Sequence, residues 1–225
     1  MKVDLMCHMG DDLLVVNAAR CSFDKESQWE YGDNGAIEFD RYLSDKDYKL
    51  INFLAREKHV LPFRHPQATF RIHAPLFVLR QLDKHQVGFS TSEVSRRYVD
   101  DDPSFYLPSE WRARPKEGIK QGSGNAVESS TEAQAAKAYH DLIYLAQSTY
   151  SWMIEQGIAP EQARMLLPQS MHTTQVKTGS LLGWVQMIKL RTDAHAQKEI
   201  QDLANMIAEH IERLFPVSYS ALMEN

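Results

Sequence analysis

Cysteine is scarce in this chain: of 225 residues only Cys7 and Cys21 carry a thiol. Two thiols cannot build a disulfide framework, a four-thiolate zinc site or an iron–sulfur centre, so a reducing compartment, the cytosol, is expected. No run approaches the ~20 apolar residues of a membrane span. The opening residues MKVDLMCHMGDD carry three Asp and lack a signal-peptide core, so no membrane partner and no removed leader are expected. Excess positive charge is also missing, with 25 Lys and Arg against 30 Asp and Glu. Sequence-independent nucleic-acid binding needs many cations to neutralise phosphates, so nucleic acid is not an expected partner.

The familiar catalytic signatures are absent as well. There is no GxxxxGK[ST], and Gly122-Ser123-Gly124 does not continue as GxGxxG, which excludes the standard phosphate loops. No HExxH or related spacing supports a metal, and no GxSxG elbow supports a serine hydrolase. The run Asp100-Asp101-Asp102 is the one candidate for a metal-dependent nucleotide hydrolase, but three adjacent side chains on a turn do not converge on one ion.

What is present is an ordinary globular composition, 43% hydrophobic and 24% charged. A chain of this length buries roughly 70% of its unfolded surface as one domain. No repeat or linker interrupts residues 1–225, so one domain is expected. Its fold class is α/β (α+β): a small central sheet flanked by long helices.

The run Asp12 to Arg20 reads as a short buried strand turning into Ala-Arg-Cys-Ser-Phe. Ser44 to His59 reads as a helix, with Ser44 as its cap and Asp45 and Asp47 at its positive end. Thr69 to His73 alternates as a strand does, and Pro75 at a first helical position opens a helix over Ala74–Gln86. Residues 101–130 read as a long surface loop, in a length range that usually marks a lid or a disordered segment. Helices are then expected over Glu132–Gln156, from Pro160 to before Pro168, from Ser180 towards Arg191 and from Ala194 to Leu214, with a strand at Met171–Lys177.

Three basic and polar clusters lie at the edges of these elements: Arg80-Gln81 with Lys84-His85-Gln86, then Ser92-Glu93-Val94-Ser95-Arg96-Arg97-Tyr98, then Arg164 with Arg191. Arginine is costly to bury unless a carboxylate or phosphate pairs with it, and its planar fork matches phosphate oxygens. In the middle cluster hydroxyls, amides and guanidinium groups can meet one phosphate, while Glu93 can orient an Arg or accept from a sugar hydroxyl. The plainer alternative is a solvated helix start with weak surface pairs. Ser95 reads as a hydrogen-bond donor rather than a nucleophile.

Read in order, Val15-Val-Asn-Ala-Ala-Arg-Cys-Ser-Phe23, Pro62-Phe-Arg-His65, Arg71 to Gln81, Lys84 to Tyr98, Ala163-Arg-Met-Leu-Leu-Pro168 and Leu190 to Ile200 resemble the flavin-dependent thymidylate synthases. The resemblance covers most of the chain. The family's Arg-His-Arg, seven residues, Ser is here Lys84-His85-Gln86, eight residues, Ser95. Ser180, Leu182 and Gln186 stand where the family carries flavin-contacting Asn and Arg.

The resemblance implies reductive methylation of dUMP to dTMP, with methylenetetrahydrofolate as co-substrate and FAD reduced by NADPH, and without an enzyme cysteine nucleophile. It implies that Glu93, Ser95, Arg96 and Arg97 hold dUMP, that Gln81 and Arg164 reach it from a neighbouring subunit, and that Arg191 faces the pyrimidine as its activator. Ser22, Lys84, His85, Gln86, Glu93, Ser180 and Gln186 are the implied FAD contacts, and His65 stands at the flavin and folate entrance. The implied assembly is a homotetramer with shared active sites. The competing reading is a flavin- or nucleotide-binding homologue that has lost catalysis and serves in sensing or assembly.

Overall fold

The computed structural model describes residues 1–32, 41–99, 101–115 and 122–225. In chain order the elements are β1 (Lys2–Met9), α1 (Asp12–Arg20), β2 (Glu30–Tyr31), β3 (Arg41–Tyr42), α2 (Asp45–Arg56), β4 (Gln67–Pro75), α3 (Leu76–Leu82) and β5 (Phe89–Glu93). They continue with α4 (Ser129–Glu155), α5 (Pro160–Ala163), β6 (His172–Ser180), α6 (Leu181–Arg191), α7 (Lys198–Leu214) and α8 (Pro216–Glu224). β1, β4, β6 and β5 form, in that order, one antiparallel sheet, so the expected mixed fold takes its α+β form.

Alternation along β4 decides how the sheet is covered. Ala68, Phe70, Ile72 and Ala74 are fully buried on one face, while Gln67, Arg71 and His73 are exposed on the other. The buried face packs on the apolar residues of α6 and α7. Trp184 of α6 stands edge-on to Phe70 at 5.1 Å and to Phe89 at 4.7 Å, and its indole Nε1 donates to the Ala68 carbonyl at 3.0 Å. A burial of this size contributes about 3 kcal/mol, and the edge-to-face pairs add to it. Gly179 makes the contact possible, since a Cβ there would lie 2.3 Å from the Phe89 ring.

The expected strand over Asp12–Arg20 is a helix. Four adjacent apolar residues are too few to carry a period, and the ends decide instead: Asp11 Oδ1 accepts from the Leu14 amide at 3.2 Å, and Asn17-Ala18-Ala19 continue the helix. Its buried Asp12 accepts the amides of Val217 and Ser218, both at 2.9 Å, and so caps α8 from the other end of the chain.

Pro75 ends β4 and caps α3 instead of starting a helix, because the Leu76 and Phe77 amides are spent on Met171 and Gln169 carbonyls. α3 therefore stops at Leu82, and Lys84-His85-Gln86 follow it as a turn. Ser92 and Glu93 lie in β5 and Arg96-Arg97-Tyr98 in a turn, so the helix-start alternative for that cluster does not hold.

The helix at 44–59 is α2, capped by Ser44 as expected. The strand over 171–177 extends to Ser180, and the helix expected from Ala194 starts at Lys198, with Phe215 separating it from α8. α4 begins at Ser129, so it takes the last two residues of the expected loop 101–130, whose described parts make two isolated bridges, Phe105 with Met171 and Arg112 with Ala126. Asp100 lies outside the described residues.

Candidate active site

α3 ends beside the C-terminus of α6, and this meeting assembles the first group of candidate residues. Arg191, in the last turn of α6, donates from Nε to His85 Nε2 at 3.0 Å and from a terminal nitrogen to the Gln81 carbonyl at 3.1 Å. A guanidinium is always a donor, so His85 Nε2 is the acceptor and the ring is the neutral Nδ1–H tautomer. Burial, then the charges of Arg191 and Lys177, hold the His85 pKa below its ordinary value. Burial also lowers that of Arg191, and a guanidinium remains protonated at neutral pH.

The Gln81 side chain continues the network. Its amide donates to Gln197 at 2.7 Å, Gln197 donates to Glu199 at 2.8 Å, and Arg112 pairs with Glu199 at 2.6 Å. The segment Leu190–Ile200 thus holds the ends of α6 and α7 against α3. Burial pushes the Glu199 carboxyl up, and its bonds from Arg112 and Gln197 outweigh that and leave it below the usual range.

His85, Gln86 and Glu93 line a cleft of 440 Å³ together with Asp83, Phe89, Thr91, Gln175 and Lys177. Ser180 and Gln186 line a smaller one of 160 Å³ on the other side of the Gln86–Phe89 turn, with Arg64, Val87 and Gly88. Gly88 has φ +78°, and a Cβ on it would lie 2.8 Å from Ser180 Oγ, so glycine lets this turn close on the start of α6. Ser180 Oγ already accepts the Gly183 amide at 3.2 Å, which leaves its hydroxyl hydrogen to donate elsewhere. Lys84 is exposed and lines neither cleft.

Ser22 and His65 lie apart from these, in a cleft of 760 Å³ between α1, α2 and the Pro62–Arg64 turn. Its floor is apolar, with Leu50, Phe53, Leu54 and Leu61, and Lys46 and Lys49 also line it. The segment bearing Ser22 is fixed by Asp47, whose Oδ1 accepts from Arg20 Nε at 3.0 Å and Ser27 Oγ at 3.0 Å. Burial raises the Asp47 pKa, but these bonds and that from Ser44 outweigh it, so it lies below the ordinary carboxylate value.

The serine–arginine turn after β5 forms the remaining group. Ser95 Oγ accepts the Arg97 amide at 3.3 Å; Arg96, largely covered, pairs with Asp101 at 2.8 Å. Arg97 is half exposed, reaches Glu161 only at 4.0 Å and lies 5.5 Å over the Tyr98 ring. Arg97 is the guanidinium of this turn with spare donors. Arg164 is exposed in the turn Arg164–Leu166.

One chain therefore joins Gln81, His85 and Arg191, sets Glu93 and Gln86 beside them, and leaves Ser22 with His65, Ser95 with Arg97, and Arg164 as separate surfaces. Sequence reasoning missed Asp83, Gln175, Lys177 and Arg64. Lys177 carries a readable signal, a charge at an inward position of a strand, and Arg64 lies inside the block Pro62–His65. Among the described residues no group of three or more His, Cys, Asp or Glu is arranged to hold a metal ion.

The family model described as thymidylate synthase complementing protein matches residues 4–217. A flavin-dependent thymidylate synthase of Kosmotoga olearia is 32% identical over 215 residues, 96% of this chain and 86% of the relative. One of Tropheryma whipplei is 33% identical over 228 residues, 97% of this chain and 90% of the relative. Among solved structures, a UMP/dUMP methylase, PolB from Streptomyces cacaoi bound with 5-Br dUMP, matches with TM-score 0.81 at 27% identity, covering 99% of this chain and 94% of that one. The same methylase bound with 5-Br UMP gives 0.82 at 26% identity, over 99% and 93%.

Proposed function

The chain belongs to the thymidylate synthase complementing protein family, the flavin-dependent thymidylate synthases, and from that premise we propose that it methylates dUMP to dTMP with methylenetetrahydrofolate on FAD reduced by NADPH. The observation that carries the reading is the contact of Arg191 with His85 and Gln81, which joins the signature turn to the end of α6. Arg191 is held there by two acceptors as a fixed positive charge. Aimed at a pyrimidine, such a charge stabilises the electron-rich ring as carbon 5 attacks the one-carbon unit.

Ser95, the amides of its turn and Arg97 form the phosphate-binding part, with Arg97 carrying the spare fork. Arg96, paired with Asp101, orders that turn. Gln81, together with the Arg191 that its carbonyl holds, and Arg164 complete the nucleotide site from a neighbouring subunit.

The residues also suit a flavin. Gly88 and Ser180 form a close turn beside Gln186, and Arg64 in the same cleft supplies a guanidinium where Leu182 brings none. His85, Gln86 and Glu93 stand across the turn, with exposed Lys84 next to them in the chain, and Ser22 with His65 offers an apolar-floored cleft for an aromatic ring system and folate. When bound, the flavin supplies the redox chemistry, and the protein supplies orientation and electrostatics.

The exposed side chains of α4 support self-association. Leu142, Leu145 and Trp152, at helical spacing on one side of α4, are 56%, 61% and 55% exposed, an apolar stripe that suits a partner helix. A homotetramer that pairs these helices brings the separated groups of the site together. Both cysteines are free and exposed, which suits the cytosol, and among the described residues no helix is long and apolar enough to cross a membrane.

The test is an absorbance spectrum of the protein with FAD, reduced by NADPH and then given dUMP and methylenetetrahydrofolate. Flavin bands that bleach and return only with both substrates, with dTMP formed, support the synthase. Flavin binding without dTMP formation favours the non-catalytic homologue.

A further inference from the structure

The inward face of β6 is unlike that of its neighbour. Where β4 sets Phe70 and Ile72, their partners across the ladder are Lys177 and Gln175, each 1% exposed. Lys177 Nζ donates to Asp83 Oδ1 at 2.9 Å and Thr91 Oγ1 at 2.8 Å, and lies 5.3 Å from the centre of the Phe89 ring. Gln175 Nε2 donates one hydrogen to Asp83 Oδ2 at 2.9 Å and the other to Glu93 Oε2 at 2.8 Å. The amide cannot be turned over, because its carbonyl oxygen would then face two carboxylates. Its Oε1 is left buried with no hydrogen-bond partner among the described residues.

A bare buried acceptor costs about 1–3 kcal/mol, and an aliphatic side chain at this position would avoid that cost. What the arrangement achieves lies on its outer side. Gln175 and Lys177 turn the Asp83 and Glu93 carboxylates towards one another across a single amide, at the wall of the 440 Å³ cleft. The Asp83 side chain is 40% exposed there, so it is open to a ligand. Asp83 and Glu93 thus present two acceptors on one wall of the cleft. Ionised carboxylates only accept hydrogen bonds, so they select hydroxyl or N–H donors.

We propose that Asp83, positioned by Gln175 and Lys177, is a second hydroxyl acceptor beside Glu93, and that the two grip neighbouring hydroxyls of a sugar or polyol chain. This rests on the function proposed above and deepens it. Two sources carry that chemistry: the ribityl or ribose part of the flavin, and the sugar of the nucleotide, which has two neighbouring hydroxyls in UMP and one of them in dUMP. The phosphates are left to the Ser95–Arg97 turn.

The experiment compares wild type with Gln175→Met, which keeps the volume and removes the amide, and Asp83→Asn, which sits at the cleft wall and is the milder change for folding. Dissociation constants are measured on the full chain for riboflavin against lumiflavin, which lacks the ribityl chain, and for UMP against dUMP. Near-ultraviolet circular dichroism checks folding. In the variants the polyol-bearing ligand weakens about tenfold, the loss of one hydrogen bond to a charged acceptor, while its hydroxyl-poor analogue changes less than twofold. A split between riboflavin and lumiflavin assigns the flavin as the source, and a split between UMP and dUMP assigns the nucleotide.

Equal weakening within both pairs, or none, in a folded variant overturns the proposal, because a merely structural role moves both members alike. A wild-type protein that binds neither flavin nor uridine nucleotide overturns the function reading itself, and this inference with it.

Discussion

Arg191 Nε donates to His85 Nε2 at 3.0 Å, so a residue of α6 and one of the turn after α3, 106 positions apart, share one proton arrangement. The contact fixes the histidine tautomer and the direction of the guanidinium together. Arg191→Ala removes the fixed charge and leaves the cleft-lining residues of β5 in place. dTMP formation is expected to fall by on the order of 10²–10³, with flavin affinity within about threefold of wild type. Measuring both on one preparation checks it: parallel loss of flavin would reassign Arg191 to cofactor binding.

His85 also makes the site sensitive to acid. Its folded pKa lies below the 6.5 of the free side chain, so the contribution of the neutral ring is present above pH 6.5 and is lost as pH falls through the folded value. A protonated ring cannot accept from Arg191 and repels it. kcat/KM is expected to fall on the acid side, and His85→Gln, whose carbonyl accepts without titrating, is expected to flatten that limb. An unchanged limb in the variant would locate the titrating group elsewhere.

Ser95→Ala and Arg97→Ala separate phosphate binding from chemistry. Each is expected to weaken dUMP about tenfold and to leave measurable turnover at saturation. Arg97→Ala also flattens the salt dependence of dUMP affinity, since its exposed guanidinium is screened by ions. Complete loss of turnover in Ser95→Ala with intact dUMP affinity would instead assign it a covalent role.

Trp184 anchors α6 to the sheet through Phe70, Phe89 and the Ala68 carbonyl. Trp184→Ala is expected to destabilise the fold by about 3–5 kcal/mol, read from the urea midpoint at constant m. Trp184→Phe keeps most of the packing but strips the carbonyl of its donor, at a cost of about 1–3 kcal/mol.

Leu142→Glu combined with Leu145→Glu charges the exposed face of α4 without touching the core. Sedimentation is expected to report dissociation, and activity should vanish with the assembly if active sites are shared. A tetramer that survives the double change places the interface on another surface.

The amino-acid sequence alone determined the elements whose signals are local: Ser44 capping α2, the alternation of β4 and the long helix α4 closed by Gly157. The ordered motif blocks also named the family and offered Gln81, His85, Glu93 and Arg191 as candidates, since matching runs in a fixed order are legible without the fold. Tertiary structure decided the rest. Asp12–Arg20 became a helix through its cap and the packing of Val15 and Val16, since a short apolar run has no readable period. Which candidates meet was decided by the junction of α3 with α6, a contact between residues more than 100 positions apart. The wall of Glu93, Gln175 and Lys177 arises only when β5 pairs with β6, for strand register, not spacing along the chain, sets those side chains side by side, and Asp83 reaches them from the end of α3.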